Sequence, residues 1–226
     1  MFFVVPVELR QPAAGRGIPA ANAVVVAVNV VMFFLAWSGP WCVGPGTGVL
    51  SVLTYGFSHF SFWHLAANMW VLLVFGNPLN RRIGNAWYLA SYLGTLVALG
   101  IFAKLFLNSH IAGASGAIFA VIVMALILMP AAQLRLAYLA VLPLTLLVGL
   151  IWRPQHWLYW FIRWGEFSLR AVWCLALVPL MQLWLFYHYD WSLTYLAHLL
   201  GMICGVAALL MLPARISMKA RVVAGV

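Results

Sequence analysis

Long apolar runs separated by short clusters of glycine and proline fill this chain, and most approach the ~20 residues that an α-helix needs to cross a bilayer. They cover residues 18–37, 57–75, 87–106, 115–129 and 193–212, with two further candidates at 134–151 and 171–187. The turn-punctuated alternation of a membrane β-barrel is not seen. Only 7% of residues are charged, against about 25% in a soluble domain. The sequence therefore reads as an all-α, polytopic membrane domain over residues 18–212, with a short tail at 1–17 and a basic tail at 213–226.

Charge sets the number of crossings. Twelve basic residues against three acidic ones give a formal charge of +9, but the arginines flank apolar segments and form no basic, aromatic-interleaved surface for nucleic acid. Lys and Arg collect in cytoplasmic loops. If both termini are cytoplasmic and only 171–187 crosses, every basic residue except Lys104 lies inside, 11 of 12. If 134–151 also crosses, only Arg10, Arg16, Arg81, Arg82 and Arg135 remain inside, 5 of 12. Six spans satisfy the rule and seven offend it. Residues 134–170 are then expected to lie along the cytoplasmic interface, or to dip in and return, where Trp152, Trp157, Tyr159, Trp160 and Trp164 suit the headgroup layer. Cys42, Cys174 and Cys204 form no CxxC pair, so neither a disulfide nor a metal site is expected.

Three short motifs carry possible chemistry. Gly113-Ala114-Ser115-Gly116 opens the fourth span and puts Ser115 in the first turn of a helix, at its locally positive end. Alone, such a tetrapeptide is more often helix packing than catalysis. His59, His64 and Asn68 fall in GFSHFSFWHLAANMW; at 100° per residue His64 and Asn68 lie about 40° apart on one face. A lone histidine there would as readily be interfacial. In AHLLGMICG, Gly201 and Gly205 sit about −60° and −20° from His198, so a neighbouring helix can come close on the histidine's face. The helix bearing Ser115, Gly116, Ala117 and Ala120 is the natural partner. In the six-span arrangement all three motifs start their spans from the outer side, at one depth.

The set HxxxxHxxxN, GxSG and AHxxGxxxG, in this order on spans two, four and six, resembles the rhomboid intramembrane proteases over about residues 18–212. The resemblance implies a six-helix bundle in which Ser115 is the nucleophile and His198 the base. His64, Asn68 and the Ser115 backbone N–H would form the oxyanion hole, Gly113 and Gly116 would shape the turn, and His59 would support it. Phe119 falls where relatives carry an aromatic, often Tyr, stacked on the catalytic imidazole. The loop before span two lacks the Trp-Arg pair of several members, and 134–170 is long.

Glu8, Glu166 and Asp190 are the only acidic residues, and none lies in a span, so a Ser-His dyad is expected in place of a triad with a buried acid. No cofactor is implied. The expected partners are transmembrane protein substrates, unwound locally and cut at small residues, and the lipid bilayer itself, with 188–194 as a lid over the site. The expected setting is a bacterial inner membrane with both termini in the cytoplasm. Two rivals stand beside this reading. One is a catalytically inactive rhomboid-like protein that binds clients; the other is a transporter using His59, His64 and His198 as a proton relay, which leaves GxSG unexplained.

Overall fold

The computed structural model of the protein describes residues 2–11, 17–35, 41–142, 144–152 and 156–213. Apart from 134–151, the apolar runs become helices close to where the hydropathy places them. After α1 (Ala20–Leu35) and the short α2 (Ser51–Thr54), the chain forms α3 (Phe62–Val71), a π-helical turn (Leu72–Gly76) and α4 (Asn77–Ile83), then α5 (Asn85–Phe106) and α6 (Ser115–Leu128). The remaining helices are α7 (Leu144–Trp152), α8 (Ala171–His188) and α9 (Leu193–Leu210). By length and composition α5, α8 and α9 can each cross a membrane, while α1 and α6 are shorter apolar helices.

Helix α6 is buried almost all round from Gly116 to Leu126, as expected of a helix that is apolar on every face and central to a bundle. The π turn has a local cause. Pro78, just after it, lacks the N–H that would bond the Val74 carbonyl inside the turn. At the start of the same turn the Leu72 carbonyl accepts a bond from Asn22 Nδ2 at 2.9 Å. Asn22 Nδ2 also donates to Asn77 Oδ1 at 2.8 Å, and Tyr88 donates to Asn22 Oδ1 at 2.5 Å. The first N–H groups of α1, which have no intrahelical acceptor, donate instead to Asn85 Oδ1 (from Ala21) and Asn80 Oδ1 (from Asn22). One saturated polar knot thus ties α1, the π turn, α4 and α5 together.

An antiparallel three-stranded sheet, in the order β1 (Phe2–Arg10), β2 (Gln133–Val141), β3 (Ile162–Arg170), corrects the all-α expectation. It takes residues 2–10 out of the tail and divides the 134–170 segment, part of which was apolar enough to pass for a span. The sheet is assembled from pairings such as Phe2 with Ala140, far apart in sequence, and periodicity within a single segment does not reveal them. A register shift between Pro6 and Glu8 falls beside a residue that cannot donate to the ladder. Trp70 of α3 donates its indole N–H to the Pro6 carbonyl at 2.6 Å, fastening the sheet to the bundle. Arg135 on the central strand holds Glu8 on one side and Glu166 on the other. These bonds, first to Glu166 and then to Glu8, push its pKa up.

The β2–β3 hairpin returns to its starting point. Gln133 faces Arg170 in the register, and the Ala171 N–H bonds the Ala132 carbonyl at 2.8 Å. Helix α8 therefore begins beside the end of α6. The basic residues Arg16, Arg153, Arg215, Lys219 and Arg221, with Trp37 at the end of the first run, lie outside the described residues.

Candidate active site

Ser115 is the first residue of α6, and no side chain caps that helix end. The first backbone N–H groups of a helix lack intrahelical acceptors, so the Ser115 N–H is a donor at a positive helix end. The turn before it depends on Gly113, whose φ of +113° is poorly tolerated by residues with a Cβ. A Cβ there would also meet His64 Cε1 at 3.1 Å. The Gly113 N–H bonds the Tyr55 carbonyl at 2.9 Å, and Tyr55 donates its hydroxyl to the Leu96 carbonyl at 3.0 Å. Paired Val43–Ile111 backbone bonds of 2.9 Å hold the loop upstream.

His198 lies on α9, where backbone contact brings that helix onto α6. A Cβ at Gly201 would fall 2.0 Å from the Gly116 carbonyl oxygen, and one at Gly205 would fall 2.7 Å from that of Ala120. No larger residue fits at either place without moving a helix. This contact puts the His198 ring on Phe119, one turn after Ser115, with centroids 4.2 Å apart and planes 22° apart. Tyr195 meets the ring edge-on at 6.0 Å. His198 Nδ1 is 2.8 Å from Gln182 Oε1 of α8, whereas the buried Nε2 has no hydrogen-bond partner. A Ser115–His198 hydrogen bond is therefore not closed in this structure.

On the other side of Ser115 stands α3, whose N-cap Ser61 accepts the His64 N–H at 3.1 Å. Phe60 stacks on the His64 imidazole, and His59 packs against its edge at 5.0 Å. Asn68, one turn further along, is buried with an unpartnered Nδ2, and the Ser58 hydroxyl is likewise buried without a partner. A cavity of about 130 Å³ opens over Ser115, lined among others by Phe60, Gly113, Gly116, Leu193 and Thr194.

The structure thus brings Ser115, His198, Phe119, Gly113, Gly116, Gly201, Gly205, His64 and His59 into one region, with Asn68 a turn deeper on the His64 face. Gln182 escaped the sequence reading. Its signal was available: an amide in the middle of AVWCLALVPLMQLWLFYH is costly to bury in an apolar span without a partner.

Residues 46–215 match the family model described as Rhomboid domain. Among curated proteins, the chain is similar to Rhomboid protein 1, mitochondrial, of Saccharomyces cerevisiae, at 29% identity over 168 residues, 65% of this chain and 47% of that protein. It is also similar to Presenilin-associated rhomboid-like protein, mitochondrial, of Homo sapiens and of Pongo abelii, each 35% identical over 80 residues, 30% of this chain and 21% of the relative. The chain spans less than half the length of these relatives. Their names are mitochondrial, so the expectation of a bacterial inner membrane draws no support from them. No solved structure matches.

Proposed function

The chain belongs to the rhomboid family, and on that premise we propose that it is an intramembrane serine protease that cuts other membrane proteins. It is an integral, multi-pass membrane protein. In this reading α1, the run from α3 to α4, α5, α6, α8 and α9 are the six crossings, with the sheet on the cytoplasmic side. The return of the β2–β3 hairpin to the end of α6 supports that count, because 134–170 then makes no net crossing.

The observation that carries the proposal is the state of His198: a buried imidazole stacked one turn from Ser115, with Nδ1 occupied and Nε2 unpaired. Nε2 takes the Ser115 hydroxyl proton, and Oγ bonds to the substrate carbonyl carbon. The developing oxyanion is met by the Ser115 N–H, by His64 and by the Asn68 amide. Collapse breaks the peptide bond, and the imidazolium returns its proton to the leaving amine. Water, deprotonated by the same nitrogen, then hydrolyses the acyl-enzyme.

Depth fits this chemistry. The 14 residues of α6 span about 21 Å, less than the ~30 Å apolar layer, so a helix ending at the inner interface leaves Ser115 in a recess below the outer one. A substrate helix must unwind to offer its carbonyl there. The α8–α9 turn above is the expected lid; Asp190 and Trp191 both have positive φ, and Leu193 and Thr194 line the cavity. The test is cleavage of a transmembrane substrate in detergent. Ser115→Ala should abolish it and His198→Ala nearly so, with thermal unfolding unchanged, whereas a folded Ser115→Ala protein of full activity would end the proposal.

A further inference from the structure

Gln182 is 3% exposed in the middle of an apolar helix, and its Oε1 meets His198 Nδ1 at 2.8 Å across the α8–α9 interface. Burying an amide is costly unless it is bonded, and here the bond goes to the imidazole of the dyad. An amide oxygen only accepts, so the contact requires the proton on Nδ1 and leaves the lone pair on Nε2. A free histidine side chain in water favours the opposite tautomer, which cannot accept a proton at Nε2. Phe119 against its face and Tyr195 against its edge hold the ring so that Nδ1 stays turned to Gln182.

No carboxylate is available for this task. Glu8 and Glu166 are paired with Arg135 in the sheet, and Asp190 is in the α8–α9 turn. The titratable neighbours of the His198 ring are His64 from α3 and Tyr195 from its own helix.

We propose that Gln182 is a positioning residue that holds His198 in the Nδ1–H tautomer, the role a carboxylate fills in a Ser-His-Asp triad. Its consequence for catalysis rests on the protease reading above; the pairing itself does not.

The test is nitrogen NMR of the full chain labelled with ¹⁵N-histidine in detergent, at a pH where the imidazoles are neutral, with His198 identified by its loss in His198→Ala. The wild type should show a protonated Nδ1 and a bare Nε2 at His198. Gln182→Leu, which removes the acceptor at similar volume, should move the signals towards the Nε2–H form and lower kcat at least about tenfold. KM should change little. Gln182→Glu, which keeps an acceptor, should retain the Nδ1–H signature and recover most of the rate. A wild-type His198 protonated on Nε2 would overturn the assignment even if no Gln182 variant folded, as would a Gln182→Leu protein with unchanged tautomer and kcat. An Nδ1–H wild type whose Ser115→Ala variant still cleaves at full rate would end the protease reading and leave the pairing supported.

Discussion

Among the described residues, two buried polar clusters of this apolar bundle differ in how their side chains are bonded. At the π turn, Asn22, Asn77, Asn80, Asn85 and Tyr88 bond to one another and to free backbone groups around helix ends. Around Ser115, by contrast, His198 Nε2, Asn68 Nδ2 and the Ser58 hydroxyl are buried without a protein partner. A polar atom left unmet in a low-dielectric interior costs about 1–3 kcal/mol. The fold itself saturates the first cluster, whereas the second holds the side chains that the proposed reaction would use.

Variants can separate the two clusters. Asn68→Ala removes one donor from the cluster around Ser115 and should slow cleavage by about 10² to 10³ while leaving the unfolding temperature near that of the wild type. Gly201→Ala acts through position: its methyl group must push α9 off the Gly116 carbonyl. A shift of about 1 Å at a reacting group costs on the order of 10² in rate, here together with a lower unfolding temperature. Asn22→Ala breaks the saturated cluster and should reverse the pattern. Stability should fall by about 1–3 kcal/mol as its partners lose their bonds, with kcat of the folded fraction little changed. If Asn68→Ala proved as destabilising as Asn22→Ala, the contrast between the clusters would fail.

The same contrast explains what could be read from the sequence. The glycines of AHLLGMICG point to a near neighbour because helical spacing alone puts Gly201, Gly205 and His198 on one side, and the structure places α6 there. Helix limits were legible for the same local reason: the run starting near Ser115 and stopping at Met129 becomes Ser115–Leu128. The sheet was not legible, since the leucines of QLRLAYLAV satisfy a helix as well as a strand until Phe2–Arg10 and Ile162–Arg170 lie alongside. Gln182 falls between these cases. Its cost in a span was visible, but its partner 16 residues away follows only from how α8 meets α9.

The most direct measurement is the attachment site of a fluorophosphonate, since a reagent that phosphorylates an activated serine needs no knowledge of the substrate. Labelling followed by peptide mass spectrometry should place a single adduct on Ser115, lost in Ser115→Ala and strongly reduced in His198→Ala. Absence of labelling in a folded wild-type protein, or an adduct on Ser115 that forms equally fast without His198, would contradict the account.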